Sequence, residues 1–283
     1  MSELLKGAPV AAAINERSQA ALRRLLEIGI TPTLALVRVG EREDDIAYEN
    51  GAVKRCEKVG VAVSHIVLPE NVSQAALLAK IEELNADESV HGVLIFMPLP
   101  KHLDGEAVRR ALSPEKDVDG ITSGSLAGVF TGSGEGFAPC TAQACIEILD
   151  HYGIDCKGKR AVVIGRSLVV GKPVSMLLMA KNATVTICHT KTLDLPSVTR
   201  EADILIAAAG KANAVGADCL SAKQLVIDVG INFADGKMCG DVDFAAAESV
   251  VSAITPVPGG VGTVTTSVLV SHVVEAAERR STK

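Results

Sequence analysis

VVIGRSLVVGKPVSMLL, at positions 162–178, places a hydrophobic strand, a glycine turn and a helix start in the order that binds a dinucleotide pyrophosphate. Gly165 lets the chain turn sharply and Gly171 lets helix and strand approach, while the free N–H groups at the helix start face the anion. Gly165, Arg166, Ser167 and Gly171 are therefore the candidate cofactor-binding residues of this turn. The spacing is G-x5-G and not the common G-x-G-x-x-G, and glycine spacing alone also fits any tight strand-to-helix connection. Arg166 has two readings, an ordinary surface arginine and a guanidinium that pairs with the adenosine 2′-phosphate distinguishing NADP from NAD. At the end of the next strand, where an NAD enzyme usually offers an acidic residue to the ribose, stands Cys188-His189-Thr190-Lys191. A neutral or basic position there favours NADP.

Around this turn the pattern alternates. A helix near 141–152 precedes the strand RAVVIG at 160–165, and after the helix from Gly171 come the strands ATVTIC, DILIAAAG and QLVIDVG, the last at 224–230. This half reads as Rossmann-like. Towards the N-terminus an amphipathic helix over 8–28 leads into a buried strand at 33–40. A helix at 46–59, a strand at 61–68, a helix at 73–84 and a strand at 92–97 follow. Strands alternating with helices imply βαβ units and a parallel sheet. Between 120 and 136 the sequence fills with glycine and serine and loses periodicity, which reads as a loop or inter-domain crossing. The tail over 265–280 is helical again. The expected fold class is α/β in two domains, residues 1–140 with 265–283 forming one and residues 141–264 the Rossmann-like other.

A chain of 283 residues is long enough for two cores, and 48% apolar residues with 2% aromatics mean an interior of Ala, Val, Leu and Ile. The net charge of −6 gives no attraction toward a phosphate backbone, so no nucleic-acid partner is expected. Seven cysteines without a CxxC pair argue against a disulfide framework and against a structural zinc site, so no metal is expected. The first residues lack the uninterrupted apolar core of a signal peptide, and no stretch reaches the ~18 consecutive apolar residues of a membrane span. The expected location is cytoplasmic, without a membrane partner.

Four segments resemble the methylenetetrahydrofolate dehydrogenase/cyclohydrolase family: HGVLIFMPLPKH at 91–102, PEKDVDG at 114–120, VVIGRSLVVGKP, and ITPVPGGVGTVT at 254–265. Together PLP, KDVDG, GRSxxVGxP and PVPGGVG are highly specific, and their order covers nearly the whole chain. The resemblance implies an N-terminal folate-side domain and a C-terminal NADP-binding domain, with tetrahydrofolate derivatives bound in the cleft between them, in a homodimer. It implies that Asp119 accepts hydrogen bonds from the pterin, that Tyr48 lies against the folate, and that Met97 joins the substrate side. Pro258, Gly259, Gly260, Val261 and Gly262 match the family's substrate loop, whose bland alternative is a turn before the final helix. Thr190 and Ile231 match positions near the cofactor.

The chain departs from the family where the one-carbon unit sits. The family's Y-x-x-x-K lysine falls on Ala52, its glutamine before PLP on Phe96, and its serine three residues before the tyrosine on Asp45. Lys54 is no obvious substitute, because at ~100° per residue it points some ~240° around the helix from Tyr48, whereas Ala52 lies ~40° away. PCTAQA at 139–144 and Thr263 are further departures that remove no obvious catalytic group. Oxidising the methylene bridge needs a hydride to leave a carbon whose two nitrogens delocalise the cation, so no proton must move. Opening the methenyl ring needs activated water and a proton delivered to nitrogen, the step that the family's lysine and glutamine serve. The expected activity is an NADP-dependent dehydrogenase with the cyclohydrolase weak or absent. In the competing view Asp45, ~60° from Tyr48 on the same helix face, acts as a replacement base and preserves both activities. A dehydrogenase for another small substrate and a non-catalytic NADP-sensing module are the remaining alternatives, and the cleft motifs argue against both.

Overall fold

Strand and helix alternate through most of the chain. The computed structural model describes residues 2–234 and 236–282. In order it runs β1 (Glu3–Leu4), α1 (Gly7–Glu27), β2 (Thr33–Val39), α2 (Glu43–Val59), β3 (Ala62–Leu68), α3 (Gln74–Ala86), β4 (Gly92–Ile95), α4 (Gly105–Ala111) and α5 (Ser123–Thr131). Then follow α6 (Cys140–His151), β5 (Arg160–Ile164), α7 (Gly171–Ala180), β6 (Thr184–Cys188), α8 (Leu195–Arg200), β7 (Ile204–Ala207) and β8 (Leu225–Asp228). The hairpin β9 (Asn232–Ala234) and β10 (Lys237–Cys239), α9 (Phe244–Ala247), β11 (Ala253–Ile254) and α10 (Val261–Ser281) complete it. Two compact units result, Met1–Ala12 with Thr141–Thr265, and Ala13–Cys140 with Thr266–Lys283.

In the second of these units β2 lies between β3 and β4 in a parallel sheet. A central parallel strand is covered on both faces, which is why TLALVRV is apolar almost throughout. Ala35, Val37 and Ile95 pack with Leu77, Ile81 and Val108 in its core. Ser73 caps α3 by accepting from the Ala76 N–H, and Asp104 caps α4 through the N–H groups of Glu106 and Ala107. Helix α2 starts with Glu43, Asp44 and Asp45, whose charge suits the positive helix end, and stops at Gly60 in the left-handed region. Its buried stripe is Asp45, Glu49, Ala52, Cys56 and Val59, a helical period that carries two carboxylates.

Glu49 explains how one of them is tolerated. Its carboxylate accepts from Arg38 Nε at 2.8 Å and lies 2.7 Å from His65 Nδ1, tying α2 to β2 and β3. Burial acts to raise its pKa, but the bonds from His65 and Arg38 outweigh that and hold it below the usual range. Glu49→Ala leaves Arg38 buried and unpaired, a change that costs about 3 kcal/mol. The expected result is earlier unfolding of this unit in thermal melts at pH 7, with the loss shrinking as acid protonates Glu49 in the unmodified protein.

The stretch over 120–136, expected as a loop, contains α5. Thr122 Oγ1 accepts from the Ser125 N–H at 3.1 Å, and the Asp117 carboxylate accepts from the Thr122 N–H and the Ser125 hydroxyl, each at 2.7 Å. Its glycines serve close packing: a side chain at Gly128 would overlap the Glu135 backbone, so the helix carries small residues and no apolar period.

The other unit is a six-stranded parallel sheet in the order β1-β11-β8-β7-β5-β6. Residues 1–12, assigned to the folate-side domain from sequence, belong here, because β1 pairs with β11 through Glu3↔Ala253 and Leu4↔Ile254. A two-residue strand has too short a pattern to be read. Helix α10 begins at Val261, four residues before its expected start, so Val261 and Gly262 form its first turn and not a loop. With β6 and β7 on either side of β5, the chain runs from β5 out to β6 and then crosses back to β7, so the carboxyl ends of β5 and β7 border a switch point where such sheets take ligands. Among the described residues no helix is long and apolar enough to cross a membrane.

Candidate active site

The turn from Gly165 to Gly171 sits at that switch point. A Cβ on Gly165, whose φ is 123°, would overlap the carbonyl oxygen of Ala208 just beyond β7, and a Cβ on Gly171 would overlap the Gly165 carbonyl. Both positions are closed to side chains, which accounts for G-x5-G physically. Val170, the N-cap of α7, provides no side-chain cap; the Lys172 N–H donates to the Ser167 carbonyl at 3.0 Å and Pro173 has no N–H, so the helix start does not present a row of free amides. Ser167 Oγ accepts from the Val170 N–H at 3.1 Å, and Arg166 is exposed on the turn. The Gly165 N–H donates to the Cys188 carbonyl at 2.9 Å, which sets the turn beside the end of β6, where His189, Thr190 and Lys191 follow. The closed glycine positions and the Gly165–Cys188 bond form a tight strand-to-helix turn of the kind that admits a dinucleotide, with Arg166, Ser167 and Thr190 around it.

Farther along the same sheet, beyond the ends of β8 and β11, a cavity of about 180 Å³ is lined by residues that include Ile231, Pro258, Gly259, Gly260, Val261 and Gly262. Two groups expected from different motifs thus share one space. Its floor is fastened by Asp228, whose carboxylate accepts from the N–H groups of Gly230, Asp241 and Val242 at 2.9–3.0 Å. Burial pushes Asp228 up to about 6 against those bonds.

The folate-side residues gather in the other unit. Ala52 is fully buried at 0% exposure, and Lys54 faces solvent, as the helix geometry requires. Phe96 is buried at the end of β4 and meets the Tyr48 ring edge-on, centroids 6.1 Å apart and planes at 81°. Met97 packs against the apolar core of its unit. Asp45 is buried, with Arg42 Nε 4.0 Å from its carboxylate, and Arg42 also donates to the Pro98 carbonyl. Tyr48 keeps 36% of its surface, yet burial of its hydroxyl and then the charges of Asp119 and Cys140 raise its pKa well above a free phenol's. Burial, then the neighbouring Asp117 carboxylate, push Asp119 up to about 7, and the nearby Cys140 thiol works the other way.

Asp119 is held by backbone packing. Gly120 has φ 70°, and a side chain there would run into the backbone of residues 137–139. Asp117 supports the same loop by accepting from the N–H groups of Ile121 and Thr122. The two aspartates of KDVDG thus differ: Asp117 is spent on the loop, whereas Asp119 acts electrostatically on Tyr48. Sequence reasoning overlooked Asp117 and Cys140, and the signal for both was their presence in quoted segments, KDVDG and PCTAQA.

The family model described as tetrahydrofolate dehydrogenase/cyclohydrolase, catalytic domain, matches residues 5–119, and its NAD(P)-binding domain matches residues 139–281. The chain belongs to this family. Bifunctional protein FolD of Carboxydothermus hydrogenoformans is 51% identical over 281 residues, 98% of each chain. The crystal structure of bifunctional FolD methylenetetrahydrofolate dehydrogenase/cyclohydrolase from Campylobacter jejuni superposes with a TM-score of 0.96 at 40% identity, covering 99% of this chain and 100% of that one. Trypanosoma brucei methylenetetrahydrofolate dehydrogenase-cyclohydrolase, solved with NADP cofactor and inhibitor, gives 0.92 at 33% identity, covering 100% and 99%. As a family member the chain has the two-domain α/β fold, a catalytic domain and an NAD(P)-binding domain. The Rossmann-like turn therefore lies in the part of the chain expected to hold the dinucleotide.

Proposed function

We propose that the protein oxidises 5,10-methylenetetrahydrofolate to 5,10-methenyltetrahydrofolate with NADP, and that its cyclohydrolase activity is weak or absent. Bound NADP would supply the hydride acceptor. The chain's residues then have to hold the reacting carbon within about 3–3.5 Å of that acceptor and need move no proton. Asp119 would take the pterin's hydrogen bonds and Tyr48 would lie along the folate, while Pro258 to Gly262 would offer backbone to the ligands. The observation that carries the second half is Ala52 at 0% exposure beside the family tyrosine, with an apolar Phe96 edge-on to it. Neither side chain can activate water or deliver a proton.

One observation favours the bifunctional reading: Asp45, buried on the same helix, stands where a carboxylate could replace the lost base. Its neighbour Arg42 argues against it, because the guanidinium 4.0 Å away already engages that carboxylate as an ion-pair partner. Relatives named bifunctional keep the question experimental, and an assay of both reactions on one purified sample settles it. The proposal extends to a cytoplasmic homodimer, as the family resemblance implies, and light scattering on a sizing column tests the dimer.

For the cofactor, Arg166 on the turn and the absence of an acidic residue at 189–191 support NADP over NAD. Arg166→Ala is expected to narrow that preference by about 1.5 kcal/mol, roughly tenfold, through loss of a charge-assisted contact. Comparing kcat/KM for NADP and NAD in both proteins checks it, and equal use of NAD by the unmodified enzyme would overturn the assignment.

A further inference from the structure

A buried histidine stands behind Asp119. His272 of α10 is 6% exposed, and its Nδ1–H donates to the Val118 carbonyl at 2.8 Å. Because a carbonyl only accepts, the proton must be on Nδ1. The Cys140 thiol donates to the same oxygen at 3.2 Å. The Val118 carbonyl belongs to the peptide that leads into Asp119, so a side chain of α10 and one at the start of α6 fix that peptide from behind.

The histidine is itself held. Its ring packs on Phe137 at a tilt of 32° with centroids 4.9 Å apart, and the Arg279 guanidinium lies 4.3 Å from the centre of the Phe137 ring. Arg279 also donates to the carbonyls of Gly134 and Gly136 at 3.1 and 2.8 Å. Burial lowers the His272 pKa, which favours the neutral ring.

We propose that His272 is a positioning residue for the folate side of the site: through the Val118 carbonyl it sets where the Asp119 carboxylate stands, and so how tightly tetrahydrofolate derivatives bind. The inference rests on the reading of Asp119 as the pterin's acceptor. A carboxylate displaced by a few tenths of an ångström loses hydrogen bonds to a rigid ring, whereas the nucleotide turn is untouched. Asparagine carries an N–H near the place of histidine Nδ1, and leucine carries none.

The test is steady-state kinetics of His272→Leu and His272→Asn, with KM for methylenetetrahydrofolate and for NADP measured separately. His272→Leu is expected to raise KM for the folate about tenfold while KM for NADP changes by less than about twofold, and His272→Asn should recover most of the loss. If His272→Leu does not fold, His272→Phe, which fills the place of the ring and carries no donor, should raise the folate KM alone by about tenfold. Unchanged folate KM in the folded variant, or equal loss of both ligands without rescue by asparagine, overturns the proposal. An unmodified enzyme that forms no NADPH overturns the functional reading and this inference with it. An active one in which Asp119→Ala weakens folate binding and His272→Leu does not overturns this inference alone.

Discussion

Supplied with 5,10-methylenetetrahydrofolate and NADP, the purified protein is expected to form NADPH and to accumulate methenyltetrahydrofolate, which then decays at the rate seen in buffer. Hydride transfer needs the two ligands held together and no proton moved, the task proposed above for the glycine turn, Tyr48 and Asp119. Ring opening needs a base and an acid, each typically contributing about 10²–10⁴ in rate when positioned. At the two family positions the chain has a methyl group, Ala52, and a benzyl group, Phe96. The Tyr48–Phe96 contact also fills this corner with apolar surface, which disfavours an ordered water there. Absorbance of the methenyl product, followed after NADP is exhausted, reads the outcome directly. Hydrolysis well above the buffer rate would sink the monofunctional reading. Asp45→Ala would then decide whether that carboxylate is the substitute base: loss of hydrolysis with dehydrogenation intact would assign it.

The nucleotide half was legible because a strand, a glycine turn and a helix occupy seventeen consecutive residues, and local sequence carries each of their constraints. Helix α5 was not. Its start is set by Asp117 and Thr122 acting as hydrogen-bond acceptors, and its glycines answer to the backbone at 135, contacts that no local period records. The same holds for β1, which is a strand only because β11 lies beside it.

In the folate-side cluster, helical geometry alone separated Ala52 from Lys54, since both stand on one regular element. The convergence of residues 48, 96, 119, 140 and 272 could not be read that way, because five segments bring them together. Glu49 shows the limit most clearly. A glutamate beside the family tyrosine looks like an ordinary solvated helix residue, and only β2 and β3 reveal that it is buried against Arg38 and His65.

Asp119→Asn is expected to weaken dehydrogenation strongly, leave NADP affinity nearly unchanged, and make the protein more stable. The first two follow from a carboxylate that accepts hydrogen bonds from the pterin: the amide offers one acceptor fewer and no charge, a loss of about 1.5–3 kcal/mol or roughly ten- to a hundredfold in kcat/KM for the folate. The third follows from burial. An aspartate raised from its ordinary 3.8 to about 7 binds its proton more tightly in the folded than in the unfolded chain. Across that interval the folded state carries more protons, so this group lowers stability progressively as pH rises from about 4 to 7, and the cost persists above 7. Asparagine never ionises, so the variant should melt later than the unmodified protein, by more at pH 8 than at pH 5. The same titration predicts that KM for methylenetetrahydrofolate falls in the unmodified enzyme as pH rises through about 7, since only the ionised form accepts at both oxygens. Asp119→Asn should flatten that dependence. Paired melting curves and KM profiles between pH 5 and 8 check all of this. Equal weakening of folate and NADP, or a variant that melts earlier at pH 8, would instead make Asp119 a structural residue.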